Sequence, residues 1–202
     1  VKPNKKGLPR GILHIIAGIT IIFLIRFGIL TPISILGIVI FGVILSFLSR
    51  KYRIPIIYWF LRKLERKENM KVFPGKGLIF FFTGVLLTLR LFPMDIALAS
   101  IMILTFADPV SNFIGKNFGR IKNPINGKNG KKQLEGNIAG AFVGFLAAMF
   151  FVNPLYAALA SLGAMIAEAI ELKMNRQQVD DNIIVPLVAG TIMLLLKYYN
   201  IG

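Results

Sequence analysis

"PMDIALASIMILTFADPVSNFIGKNFGR", residues 93–120, runs apolar from Ile96 to Ala107 and then meets a carboxylate, Asp108. The apolar part reads as a short membrane span, since a helix in lipid satisfies its own backbone polar groups. The polar part, with its Gly, Asn, Lys and Arg, reads as a segment on one membrane face. The same alternation recurs on both sides of this stretch. It predicts seven spans at about 11–28, 29–49, 74–91, 93–107, 136–152, 154–172 and 183–199. The fold class expected is therefore all-α: a polytopic helix bundle forming one integral membrane domain over residues 1–202. Pro in "LTP" (30–32), "LFPMD" (91–95) and "VNPL" (152–155) marks tight turns, because Pro begins helices more readily than it continues them.

Composition agrees with this reading. The chain has 202 residues, 55% of them hydrophobic, and carries a net charge of +15. Of its 24 Lys and Arg, all but Arg26, Arg90 and Lys197 fall in the N-terminal segment or in the polar segments after the second, fourth and sixth spans. Basic residues flanking spans set orientation and meet anionic headgroups, so the positive charge implies a lipid bilayer and not nucleic acid. By the positive-inside rule that face is cytosolic, with the N-terminus inside. The first apolar run lacks a small-residue cleavage site and reads as a retained helix. "RKYRIPIIYWFLRKLERKENMKVF", within residues 50–73, mixes aromatic and basic residues as an amphipathic helix in the cytosolic interface does. There is no Cys, which excludes disulfides and thiolate metal sites.

Only 9 residues are acidic. Glu65 and Glu68 lie among the interfacial bases, and Asp95 stands where it can cap the fourth helix. The rest, Asp108, Glu135, Glu168, Glu171, Asp180 and Asp181, fall toward the basic face. An ionised group at a bilayer centre costs about 2.5–3.5 kcal/mol on insertion scales, so Glu168 and Glu171 are expected to face protein, water or a cation. Helical spacing puts Ala157, Ser161, Ala164, Glu168 and Glu171 within a wedge of about 80°, a small-residue face suited to close contact.

Phosphate recognition needs cations and backbone N–H donors, and "GKNFGRIK" with "NGKNGKKQLEGN" supplies Lys, Arg and Gly. Carboxylates beside such a site hold Mg²⁺. Residues 108–135 therefore read as a cytosolic nucleotide-binding loop, although "GKNGKKQ" lacks the P-loop spacing. Gly136, Gly140 and Gly144 read as a packing groove on the fifth helix. Arg10 and His14, one helical turn apart, and Lys76 read as headgroup or phosphate contacts, with an interfacial structural role as the alternative for the first two.

"DPVSNFIGKNFGR" followed by "GKKQLEGNIAGAF" resembles the signature of the CTP-dependent lipid-alcohol kinases: dolichol kinase, phytol kinase and the yeast-type CTP-dependent diacylglycerol kinase. That family is distantly related to phosphatidate cytidylyltransferases. Gln133 and Asn137 stand where the family carries Ser or Thr and Ser. "RGILH", "FPGKG" with Lys76, "AEAIEL" and "VDDNIIVP" resemble other family elements more loosely. The resemblance implies transfer of the γ-phosphoryl group of CTP to a long-chain isoprenoid alcohol, and the high Ile, Lys and Asn content with the compact size reads as that of a prokaryotic cell-membrane protein. It implies Mg²⁺ on Asp108 and Asp181, and Asp180 or Glu168 as acceptor of the alcohol's proton. Nucleotide contacts are implied for Asn112, Gly115, Lys116, Gly119, Arg120, Lys131, Lys132, Glu135, Gly136 and Asn182. A cytidylyltransferase making a CDP-lipid is the nearest alternative, and a small transporter a more distant one. The identity of the alcohol and the oligomeric state are left open.

Overall fold

A computed structural model describes residues 8–51, 73–124, 132–170, 173–174 and 177–201. Among these are seven helices: α1 (Leu8–Arg26), α2 (Pro32–Lys51), α3 (Lys76–Leu91), α4 (Met94–Phe118), α5 (Leu134–Ala148), α6 (Pro154–Ile170) and α7 (Asp181–Tyr198). Two-residue strands β1 (Lys173–Met174) and β2 (Gln177–Gln178) pair between α6 and α7. The protein is an all-α membrane-type bundle. Three helices are long and apolar enough to cross a membrane, α2 over Pro32–Ser49, α4 and α7. The interfacial segment expected at 50–73 lies almost wholly outside the described residues, as do Lys131 and Glu171.

The short connections do what their Pro residues suggest. Pro32 opens α2, Pro93 precedes Met94 at the start of α4, and Pro154 opens α6. Before α2, Thr31 and Ser34 cap reciprocally: Ser34 N–H donates to Thr31 Oγ1 and Thr31 N–H to Ser34 Oγ. Asn153 Oδ1 accepts from Tyr156 N–H at 2.8 Å at the start of α6. Asp95 does not cap α4 as expected. It sits within the first turn and pairs with Lys197 Nζ at 2.9 Å, joining α4 to the last turn of α7.

Helix α4 is the axis of the bundle and packs against α1, α3, α5, α6 and α7. Its apolar run is almost entirely buried, with Ile96, Ile101, Ile103 and Leu104 fully so. The buried hydroxyls of Ser100 and Thr105 donate to Ile96 O and Ile101 O, one turn back, which removes the cost of burying them. The outer surface inverts the usual pattern: Phe41, Phe47, Phe142 and Phe150 are exposed, as suits side chains that meet lipid tails.

Helix α4 also departs from expectation. The sequence reading ends the fourth span at residue 107 and begins a loop at Asp108, whereas the helix continues through Pro109 to Phe118. Pro109 lacks an N–H, but the turn is held by Asn112, whose Nδ2 donates to Asp108 O at 3.0 Å, and by close packing on α5. That packing explains the glycines. A Cβ at Gly136 would lie 2.5 Å from Ser111 O and 2.9 Å from Gly115 Cα, and one at Gly140 would lie 2.9 Å from Ala107 O. Backbone meets backbone here, so neither side can yield. Gly136→Ala is expected to destabilise the protein by about 1–3 kcal/mol. Gly37→Ala, where an added methyl meets nothing within 4 Å, should be neutral or stabilising by up to about 1 kcal/mol. Thermal melting of both variants in nanodiscs checks the contrast in sign.

Candidate active site

Three carboxylates converge at one end of the bundle, carried by three helices. Asp108 comes from the middle of α4, Glu168 from the last turn of α6 and Asp181 from the first residue of α7. One ligand oxygen from each lies within 4.8 Å of the others. Lys132, just before α5, reaches into the group: its Nζ donates to Glu168 Oε1 at 2.7 Å and to Asp181 Oδ2 at 2.9 Å. Burial alone would lower the pKa of Lys132. The negative charges of Glu168 and Asp181 outweigh that and hold it above the ordinary lysine value, so it stays an ammonium ion.

The supporting contacts show why the chain folds this way locally. The segment after α4 turns back antiparallel to the segment entering α5: Asn123 N–H donates to Lys132 O and Leu134 N–H to Ile121 O. Glu135 closes this return, its carboxylate accepting Arg120 N–H at 2.8 Å and Ile121 N–H at 3.0 Å. The three-residue spacing from Lys132 to Glu135 thus aims the ammonium group inward while the carboxylate clasps the loop. On the other side, Asn137 Nδ2 donates to Met165 O at 2.8 Å and Ser161 Oγ to Ala141 O at 2.7 Å. Both bonds lash α5 to α6 along the small-residue face that ends in Glu168, which is 1% exposed. Asn137 is a positioning residue that sequence reasoning noted only as a departure from a motif. Its signal was an amide on a face otherwise made of Gly and Ala.

The remaining expected site residues are distributed as follows. Asn112 Nδ2 donates to Asp108 Oδ1 at 2.8 Å and so orients that carboxylate. Asp180 is the N-cap of α7, its Oδ1 accepting from Asn182 N–H and, at 2.7 Å, from Asn182 Nδ2. Asn182 is therefore engaged in the local cap. Gly115 and Gly119 pack against Gln133, and Gly136 packs against α4, so these glycines make room for helix contact. Lys116 and Arg120 are exposed near the end of α4. Lys76 opens α3 with its Nζ 5.3 Å from the Phe80 ring centre. Arg10 is exposed in the first turn of α1, and His14 faces inward one turn later.

This donor set fits a hard divalent cation. Glu168 Oε2 and Asp181 Oδ1 are buried and accept no hydrogen bond from the described residues, and an orphaned carboxylate oxygen is costly unless something positive meets it. Three clustered carboxylates with all-oxygen ligands suit Mg²⁺ better than softer metals. A separate cavity of about 410 Å³, lined by Arg26, Met94, Asp95 and Phe150 among others, lies at the opposite end of the bundle.

The chain is 28% identical to Uncharacterized protein MJ1137 of Methanocaldococcus jannaschii, over 91% of each chain. It is 27% identical to Uncharacterized protein RP860 of Rickettsia prowazekii over 69% of its own length and 67% of that protein. It is also 28% identical to CTP-dependent diacylglycerol kinase 1 of Schizosaccharomyces pombe, over 59% of this chain and 60% of the yeast protein. No family model matches, and no solved structure matches.

Proposed function

We propose that this protein is a CTP-dependent lipid kinase that phosphorylates the hydroxyl of a membrane-dissolved alcohol of the long-chain isoprenoid type. The observation that carries the reading is the trio of Asp108, buried Glu168 and Asp181 with Lys132 bridging two of its members. The similarity to a CTP-dependent diacylglycerol kinase supports the nucleotide and the lipid acceptor. Phosphoryl transfer asks for positioning and neutralisation of charge more than for covalent chemistry, and this group of side chains is suited to both.

Asp108, Glu168 and Asp181 are the residues that would hold Mg²⁺, which when bound would neutralise charge on the phosphate oxygens. Lys132 fixes two of those carboxylates before any nucleotide arrives, so the site needs little rearrangement. Asn112 orients the third. Lys116 and Arg120 supply positive charge along the nucleotide's approach, joined by Lys131 in the proposed phosphate contact. In the transfer the alcohol oxygen bonds to the γ-phosphorus, the bond to the β-phosphate oxygen breaks, and CDP leaves. The alcohol's proton must pass to a base on the acceptor side. With the basic face cytosolic, the nucleotide would arrive from the cytosol and the lipid from within the bilayer.

Purified protein incubated with Mg²⁺, labelled CTP and a panel of farnesol, geranylgeraniol, a dolichol and diacylglycerol tests the reading. γ-Label in the lipid product is the expected result, with no α-label. α-Label in the lipid would instead indicate a cytidylyltransferase, and ATP serving as well as CTP would remove the nucleotide assignment. The collection of the carboxylates at one end of the bundle disfavours a transporter, which needs polar groups spread along the membrane depth.

A further inference from the structure

His14 is the single histidine of the chain, and it faces the interior of the bundle. Its position follows from the spacing of small residues on α1. Gly11 and Gly18 bracket it on the same helical face, and both face α4: a Cβ at Gly11 would touch Pro109 Cβ at 3.4 Å, and one at Gly18 would overlap the Thr105 side chain. Between Thr105 and Pro109 lies Asp108. The imidazole is thus pressed against α4 at the level of the carboxylate cluster, with its ring edge-on to Phe81 of α3 at 4.8 Å. Asp108 and Asp180 both lie close enough to act on it electrostatically.

The two ring nitrogens differ. The imidazole makes a hydrogen bond to the Leu104 backbone, and a helical Leu104 has only its carbonyl to offer, so the ring must donate. The other nitrogen, Nε2, is buried with no partner among the described residues. In the neutral ring a donating Nδ1 leaves Nε2 as a bare acceptor. A buried acceptor with no donor among the described residues is what an alcohol hydroxyl complements.

We infer that His14 Nε2 accepts the hydroxyl proton of the lipid acceptor, aiming its oxygen at the γ-phosphorus. The inference rests on the kinase reading and supplies the base that reading leaves unassigned, in place of Asp180 or Glu168. Glu168 is held by Lys132 and stands among the ligands proposed for the cation, and Asp180 Oδ1 is committed to Asn182. As the new bond from oxygen to phosphorus forms and the bond to CDP breaks, the proton moves to Nε2. The Leu104 carbonyl holds the ring in register. Lys132 then marks the nucleotide side of the cluster and His14 the lipid side.

Because there is one histidine, ¹⁵N-histidine labelling of the whole chain in nanodiscs reports on this ring without assignment. Geranylgeraniol or diacylglycerol is expected to move the unprotonated ¹⁵N resonance upfield, the mark of a new hydrogen bond. The corresponding methyl ethers, with the same tails and no O–H, should leave it in place. Equal shifts from alcohol and ether, or none from either alcohol, would overturn the assignment. His14→Gln, which keeps a polar side chain of similar reach, should melt with the wild type, lose at least about 10²-fold in kcat, and keep KM for CTP within about threefold. A variant that retains full kcat would also overturn it. If the wild type places γ-label on no alcohol, the kinase reading fails by itself, while the nitrogen shift still decides whether His14 binds a hydroxyl.

Discussion

Asp108→Asn is expected to cut γ-phosphoryl transfer from CTP by at least about 10²-fold while leaving the protein as stable as the wild type or more so. Asn is nearly isosteric and can still accept the hydrogen bond from Asn112 Nδ2. What it removes is one of three negative charges whose ligand oxygens lie within 4.8 Å of one another. In the absence of a cation that crowding is repulsive, so neutralising one member relieves the fold. In the presence of Mg²⁺ the wild type gains stability by mass action and the variant gains less. Melting curves with Mg²⁺ and with a chelator, run beside the transfer assay, separate the two effects. A variant that loses activity because it unfolds would show Asp108 to be a structural residue, and one that retains activity would remove it from the metal role.

Lys132→Met should act in the opposite direction on stability. Its side chain is 16% exposed and its two partners are 1% and 25% exposed, so the interaction lies largely out of water. Removing one partner from a buried ion pair leaves charge uncompensated, at a cost of about 3 kcal/mol or somewhat more. Mg²⁺ should restore part of the loss, and more than it adds to the wild type, because the cation then supplies what the ammonium no longer does. Transfer activity should fall as well. Equal melting temperatures for wild type and variant without Mg²⁺ would show that the ion pair contributes nothing to the fold. The contrast between Asp108→Asn and Lys132→Met is the stronger test, since a generic packing defect would lower stability in both.

Much of the fold was legible because a bilayer imposes a simple rule on a chain. Runs such as Ile96–Ala107 must become helices, Pro at 32, 93 and 154 must fall at their beginnings, and charge must sit at their ends. The alternation of short and long connections then brings Asp108, Glu135, Glu168, Asp180 and Asp181 toward one end of the bundle. Periodicity also identified the buried face of α6, where Ala157, Ser161, Ala164 and Glu168 are all at most 1% exposed.

Other features were not legible, for physical reasons that differ. The end of α4 was misplaced because Asp-Pro reads as a stop, whereas the Asn112 side chain and the contact of Ser111 and Gly115 with Gly136 hold the helix together beyond it. Glycines in "GKNFG" suggested a phosphate loop, but a glycine has the same signature whether a phosphate or a neighbouring helix comes close. Asp95 looked like a cap because local spacing cannot reveal a partner 102 residues away at Lys197.

The sequence by itself determined the helices and the packing faces of α5 and α6, since lipid allows few other answers and these follow from local periodicity and composition. Which polar groups meet was decided only by tertiary structure. Lys132 finds Glu168 and Asp181 across 36 and 49 residues, and α1 closes on α4 where Gly18 leaves room for the Thr105 side chain. A helical period states which face a side chain takes, and only packing states what stands opposite it.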